Sequence, residues 1–125
     1  MGENDPMRPF VLAAAGGVIG ATARWGVGEA IASEGAGFPW NTLAVNLVGC
    51  ALIGLAARRL RRGSDAWYAL VTGVLGGLTT FSAFAHETRT LLADGRPTTA
   101  ALYVVASVIG GVVAAEFARG REAPT

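Results

Sequence analysis

The chain has little of what an enzyme uses for chemistry. It contains one cysteine, Cys50, one histidine, His86, and nine acidic residues among 125 positions. A lone cysteine excludes an intrachain disulfide and makes metal binding through thiolates a poor hypothesis. The sequence has no glycine-rich phosphate loop and no serine, histidine and carboxylate set that would activate a nucleophile. An enzyme is therefore not favoured, and Cys50 is expected to be a packing residue.

Long polar segments are also scarce. Hydrophobic residues make up 52% of the sequence, and they collect in four runs joined by short connections that leave no room for a soluble domain. A helix needs about 20 residues to cross about 30 Å of hydrocarbon. Residues 1–125 are therefore predicted to form a single all-α domain with four transmembrane helices, multi-pass in the cell membrane. The predicted spans are 10–32, 39–57, 66–92 and 98–118.

The third run contains a segment that suits a helix badly. Residues 73–84 read Gly-Val-Leu-Gly-Gly-Leu-Thr-Thr-Phe-Ser-Ala-Phe. Glycine inside a helix costs about 1 kcal/mol relative to alanine, and threonine is stiff at χ1. In lipid, a broken backbone is tolerated only where it is buried in protein or lines a polar cavity, and its freed carbonyls can bind ions. The third helix is therefore predicted to break near residues 76–80, beside an ion site.

Small residues recur every four positions in the first and fourth spans. Gly16 and Gly20 form one such pair, and Ala106, Gly110 and Ala114 continue another series. Such stripes let helix backbones approach closely in lipid. They predict a tightly packed bundle and carry no information about a solute.

Arginines are distributed unevenly between the two ends of the predicted bundle. Seven lie at the termini and in the loop between spans two and three, against two or three at the other end, so both termini are predicted to be cytoplasmic. A cluster within the larger group could also contact anionic lipid, although a topology determinant is the simpler account. The larger group is Arg8, Arg58, Arg59, Arg61, Arg62, Arg119 and Arg121; the smaller is Arg89 and Arg96, with Arg24 as the uncertain third.

Uncharged hydrogen-bond donors and two phenylalanines form the remaining pattern. A small anion must be offered donors in place of water, and no single site can hold it too strongly if it is to be conducted. Phe81 and Phe84 share a helix face, and the positive edges of their rings meet that demand. Ordinary packing explains any one of these residues alone, but together they indicate an anion path. The donors are Asn41, Thr42, Asn46, Thr79, Thr80, Ser82, Tyr103 and Ser107.

Ionisable residues inside the spans are functional candidates by default. Arg24 is interpreted either as a side chain that reaches the membrane interface or as a group that attracts anions. His86 is expected near a water-filled vestibule, and Glu87 is left open between a vestibule and a proton relay. Glu29, at a span end, is expected to be solvated.

Taken together, three motifs resemble the small fluoride channels of the Fluc or CrcB family. They are Gly-Gly-Val-Ile-Gly-Ala-Thr-Ala-Arg-Trp at 16–25, Phe-Pro-Trp-Asn-Thr-Leu-Ala-Val-Asn-Leu-Val-Gly at 38–49 and Gly-Gly-Leu-Thr-Thr-Phe-Ser-Ala-Phe at 76–84. The resemblance covers about residues 10–118. It implies an antiparallel, dual-topology dimer of four-helix subunits, with two fluoride pores and a central structural sodium ion that is not transported.

The resemblance also implies residue roles. The backbone carbonyls of Gly76 and Thr79 would bind sodium together with the same pair from a second subunit, and Arg24 would lie near the aqueous vestibule. The family usually has glycine where Asn41 stands, and a serine can occur where Gly111 stands. The implied pore and polar-track residues are Asn46, Phe81, Phe84, Tyr103 and Ser107, with Thr80, Ser82 and Glu87 beside them.

The leading prediction is passive fluoride efflux that lowers cytoplasmic fluoride, with no nucleic-acid partner. Dual topology of a single sequence usually requires balanced arginines, and the arginines here are unevenly distributed. The partner is therefore expected to be either a second copy of the chain or an oppositely biased paralogue. The alternative is a small four-span proton-coupled multidrug exporter, which needs a carboxylate near the middle of the first span; residues 10–28 have none. A structural or assembly subunit, the third possibility, would not need the break.

Overall fold

The computed structural model describes residues 2–31 and 37–120 and contains helices joined by short turns. Four helical segments are long and apolar enough to cross a membrane, and their described ends lie within two residues of the four predicted spans. Ala32, the connection at 33–36 and Arg121 lie outside the described residues. The elements are α1 (Arg8–Ala30), α2 (Trp40–Arg59), a π-helical stretch (Trp67–Leu75) that runs into α3 (Gly76–Leu78), α4 (Phe81–Ala93) and α5 (Pro97–Arg119).

The third span is interrupted where the sequence predicts. Thr79 (φ −76°, ψ 150°) and Thr80 (φ −143°, ψ 117°) are both extended. They separate the end of α3 from the start of α4, which takes a new direction. The wider π-helical winding of Trp67–Leu75 was not predicted, because nothing in those residues distinguishes them from an ordinary apolar helix. The third span is thus irregular over its first half as well as at its break.

Local contacts place the start of α1, the end of α5 and the loop after α2 at one end of the bundle. The Arg8 guanidinium forms an ion pair with Asp65, and the Ser64 hydroxyl caps the third span by accepting from the Trp67 N–H at 3.2 Å. Arg58 lies close to Gly120, just past the end of α5. The described arginines of the larger group therefore gather at one end, as the sequence indicates.

The bundle is built from two helix pairs that touch backbone to backbone. In the first pair, α1 packs on the π-helical stretch: a Cβ added at Gly16 would overlap the Ala69 carbonyl, and one added at Gly20 would overlap the Val74 carbonyl. In the second pair, α2 packs on α5, where Gly54 lies against the Ala115 carbonyl. Small residues make these approaches possible, which is the usual basis of helix association in lipid.

Few large side chains are buried within a single copy of the chain. The hydrophobic core consists of Leu43, Leu91, Ala100 and Tyr103, whereas Phe81 is 80% exposed. An apolar surface of this extent marks contact with lipid or with another protein subunit. The fold is therefore that of a membrane bundle whose outer face is as apolar as its interior.

Replacing Gly20 with alanine is expected to destabilise the bundle by about 1–3 kcal/mol, because the new methyl group would force α1 away from the Val74 carbonyl. Gly17→Ala, three residues earlier on the same helix, is the control, because a Cβ at Gly17 meets no atom within 4 Å. Thermal unfolding of the purified variants in one detergent measures the difference. Equal stability of the two variants would contradict the proposed close packing.

Candidate functional site

The break in the third span is held by a side chain from α2. The Asn46 amide nitrogen donates to the Thr80 carbonyl at 3.1 Å, and the Thr80 N–H donates back to the Asn46 amide oxygen at 2.8 Å. The asparagine thus pairs with the extended residue as a neighbouring strand would. Thr80 in turn caps α4, since its hydroxyl accepts from the Ala83 N–H at 3.1 Å and lies 3.1 Å from the Ser82 hydroxyl.

These bonds divert two donors that a continuous helix would use. In an unbroken α-helix the Thr80 N–H would bond the Gly76 carbonyl, and the Ala83 N–H would bond the Thr79 carbonyl. Here those N–H groups bond Asn46 and the Thr80 hydroxyl instead. The two carbonyls released in this way are those that the family resemblance assigns to sodium. Carbonyl oxygens at the end of a half-helix suit such a cation, so the residues fit one.

A cleft lies beside the break, between α2, α4 and α5, and polar side chains interrupt its largely apolar lining. Its volume is about 290 Å³. The Ser107 hydroxyl is buried and has no hydrogen-bond partner within the described parts of the chain, and Ser107 is one of the residues that line the cleft. The rings of Phe81 and Phe84 lie 5.7 Å apart at 44° in the cleft wall. Six predicted site residues line the cleft together: Asn46, Thr79, Thr80, Phe81, Phe84 and Ser107.

A second polar cluster centres on Glu87, one turn and a half further along α4. Its carboxylate accepts from the Thr42 hydroxyl at 2.7 Å and from the Tyr103 hydroxyl at 2.6 Å. Tyr103 is fully buried, and its ring lies 5.4 Å from that of Phe84 and 5.6 Å, edge-on, from that of Phe38. Tyr103 therefore connects the carboxylate to the aromatic wall of the cleft.

Glu87 and Thr42 also line a larger cavity of about 470 Å³ near the end of the bundle that carries Arg96. His86 is exposed and lies in the wall of the same cavity, in keeping with the predicted vestibule position. Tyr103 links a residue of this cavity to one of the cleft, since its hydroxyl donates to Glu87 and its ring contacts that of Phe84.

Arg24 does not line the cleft beside the break. Its Nε donates to the Gly77 carbonyl at 3.1 Å, and the side chain is half-buried. It lines a cavity of about 340 Å³ together with Glu29 and Thr80. The guanidinium therefore satisfies one more carbonyl at the end of α3, and it does so from the first helix pair.

Three site features were not expected from the sequence. Phe38 packs on Tyr103 although it lies just before α2, and Thr42 was recognised as a donor without its acceptor Glu87. The contact of Asn46 with the backbone of Thr80 joins residues 34 positions apart. The polar character of Thr42 and Asn46 was the only signal in the sequence, and Phe38 gave none. Cys50 lies against Gly111, as expected for a packing residue, and also lines the cleft.

A four-span helical bundle with a broken third span and a cleft of uncharged donors defines a small membrane channel. The chain belongs to the CrcB family: the family profile described as CrcB-like protein, Camphor Resistance (CrcB), matches residues 11–119. The family resemblance is thereby confirmed, as is the expectation of a membrane protein that is not an enzyme.

Curated relatives cover most of the chain. A protein of Chlorobium phaeobacteroides is 41% identical over 112 residues, which are 86% of this chain and 88% of the relative. A Thermus thermophilus protein is 44% identical over 110 residues, 85% and 88% of the two chains. A Sphingopyxis alaskensis protein is 48% identical over 104 residues, 79% and 82%. Each relative is described as the fluoride-specific ion channel FluC.

Removal of the Thr80 hydroxyl is expected to loosen the break. Thr80→Val keeps the shape of the side chain but leaves the Ala83 N–H without its cap, which costs about 1 kcal/mol. Thr80→Ser retains the hydroxyl and is expected to remain within about 0.5 kcal/mol of the original chain. Denaturant titration of both variants measures the free energies of unfolding; a valine variant as stable as the serine variant would argue against the cap.

Proposed function

We propose that the protein is a fluoride-specific channel that lowers cytoplasmic fluoride by passive efflux. The observation that carries the proposal is the cleft at the break, where the buried Ser107 hydroxyl, which has no partner among the described residues, lines the same cleft as two phenylalanine rings, in a chain whose relatives are described as fluoride-specific channels. No side chain lining this cleft carries a charge. A small anion can therefore be stabilised there without being trapped.

The proposed path runs from the 470 Å³ cavity to the cleft. At its entrance the hydroxyls of Thr42 and Tyr103 are held by Glu87, and an anion arriving there would compete with the carboxylate for them. Further in, the positive edges of the Phe84 and Phe81 rings replace water weakly. Ser107 and Asn46 then supply stronger donors, with the hydroxyls of Thr80 and Ser82 close by. Arg24 is assigned to a neighbouring vestibule.

The carbonyls of Gly76 and Thr79 are proposed to hold a structural sodium ion that is not transported. The proposal is supported by the diversion of their helical donors to Asn46 and to the Thr80 hydroxyl. When bound, sodium supplies positive charge at the carboxyl end of α3, where the helix dipole is negative. Two carbonyls make an incomplete shell, so a second subunit would contribute the same pair.

An antiparallel dimer is the assembly that we propose. It is supported by the 80% exposure of Phe81 next to the break, since an exposed ring at a pore wall calls for a covering subunit. The gathering of arginines at one end of the bundle opposes dual topology of a single sequence. Both a homodimer and a pair with an oppositely biased paralogue are therefore retained as partners.

Reconstitution of this chain alone into liposomes tests the function. Liposomes loaded with fluoride are expected to release it rapidly through a passive channel, and removal of sodium during purification is expected to abolish the flux because the break would lose its cation. A fluoride-selective electrode reads the efflux. Fluoride release that is the same with and without sodium would overturn the sodium site. Proton-driven export of an aromatic cation without fluoride release would overturn the channel.

The same experiment addresses the partner. Sodium-dependent flux from this chain alone excludes the need for a paralogue. If the folded chain gives no flux until an oppositely biased relative is co-expressed, the heterodimer is supported.

Replacing the Phe84 ring is expected to slow fluoride release by roughly tenfold, which corresponds to about 1.4 kcal/mol at the barrier. Phe84→Leu removes the ring edge but keeps an apolar side chain in the cleft wall. Phe117→Leu is the matched control, because Phe117 is 88% exposed on α5 and does not line the cleft. Initial efflux rates at equal protein density decide the matter; comparable slowing in both variants would count against a role for the ring.

A further inference from the structure

A second groove lies between α2 and the π-helical stretch, at the arginine-rich end of the bundle. Its volume is about 340 Å³. All but one of its lining residues are aliphatic or alanine, and the exception is Arg59 in the last turn of α2. The apolar lining includes Leu52, Leu55, Ala56, Leu70 and Val74.

The groove follows from the way the two helix pairs meet. Each pair is joined backbone to backbone through glycines, but α2 and the third span approach most closely at Gly49, against the side chain of Thr79. Towards the arginine-rich end the two elements are separated by larger side chains, among them Leu52 and Leu70, which are 40% and 48% exposed. The groove is thus an open cleft in the membrane-facing surface. It is distinct from the cleft beside the break that Asn46, Phe81 and Ser107 line, which we call the donor cleft.

Helix geometry places the two clefts on different sides of α2. Asn46, Cys50 and Ile53 line the donor cleft, whereas Leu55 and Arg59 line the apolar groove. At 3.6 residues per turn, and with Leu52, Ala56 and Leu60 of the groove included, the two sets point about 120° apart, with the contact at Gly49 between them. A subunit seated over Phe81 and the donor cleft would therefore leave the groove open to lipid.

Charge at the mouth of the groove is positive. Within residues 2–31 and 37–120, the guanidinium of Arg59 makes no ion pair, and the nearest acidic side chain along the chain, Asp65, is bonded to Arg8. Arg62 lies 5.7 Å from the centre of the Trp67 ring, and tryptophan near a span end marks the level of the lipid headgroups. The mouth of the groove therefore combines unpaired positive charge with headgroup depth.

We propose that this groove binds an anionic phospholipid, with an acyl chain between α2 and the π-helical stretch and the phosphate on Arg59. An apolar channel that ends in a cation at headgroup depth matches both parts of such a lipid. A surface arginine strengthens the binding of anionic lipid by about 1 kcal/mol, or about fivefold. The inference stands on the groove itself and does not depend on the conducted ion.

The test is lipid binding by the full chain purified in detergent, measured by native mass spectrometry. Phosphatidylglycerol is expected to bind at least fivefold more tightly than phosphatidylcholine with the same acyl chains. Arg59→Gln is expected to remove most of this preference. Arg61→Gln is the control, since it loses the same charge outside the groove lining.

A second variant tests the apolar part of the groove. Ala56→Phe fills it and is expected to weaken binding of both lipids, whereas Val112→Phe, on the exposed face of α5, leaves binding unchanged. Melting temperatures without lipid show whether Ala56→Phe folds; if it does not, the arginine variants decide alone.

Four outcomes would overturn the proposal. The first is equal binding of the two lipids, and the second is equal loss of preference in both arginine variants. The third is a change of oligomeric state in Ala56→Phe, which would make the groove a contact between subunits. Inorganic phosphate that competes fully for the site would likewise identify a free anion as its ligand.

Discussion

The pairing of Asn46 with the backbone of Thr80 is the interaction on which the rest of the site depends. An extended residue inside a membrane-spanning segment leaves backbone groups that lipid cannot satisfy, at a cost of several kcal/mol each. Asn46 meets the donor and the acceptor of Thr80 with one side chain. The Thr80 hydroxyl is then free to cap α4. The contact with Asn46 therefore lies both at the end of α3 and at the start of α4.

Close backbone packing determines where that contact can occur. Gly49 lies one turn after Asn46 on α2, and a Cβ there would overlap the Thr79 side chain, so only glycine lets α2 reach the break. On the opposite side, Gly77 faces the Gly17 carbonyl, while the Arg24 guanidinium reaches the Gly77 carbonyl at 3.1 Å. The break is thus held from both helix pairs, which explains why an irregular segment sits at the middle of the bundle.

The sequence predicts the spans and the break because both have local causes. Hydrophobic runs of 20 residues and the Gly-Gly-Leu-Thr-Thr segment carry their own signals. The partners of the polar groups do not, since Arg24 and Gly77 are 53 positions apart and Thr42 and Glu87 are 45 apart. Which donor meets which acceptor is decided by helix packing. The π-helical stretch is of the same kind: its apolar residues are typical of a membrane-spanning helix, and no motif in them signals the change in winding.

One break can serve two ions of opposite charge because it exposes both ends of a helix dipole. α3 ends at Leu78 with free carbonyls and partial negative charge, and α4 begins at Phe81 with partial positive charge. The carbonyl end suits a resident cation, held through several oxygens. The amino end of α4 borders the donor cleft, where its field favours an anion without adding a fixed charge that would bind it too tightly. The two proposed ion roles would therefore be separated by only the two extended residues between the half-helices.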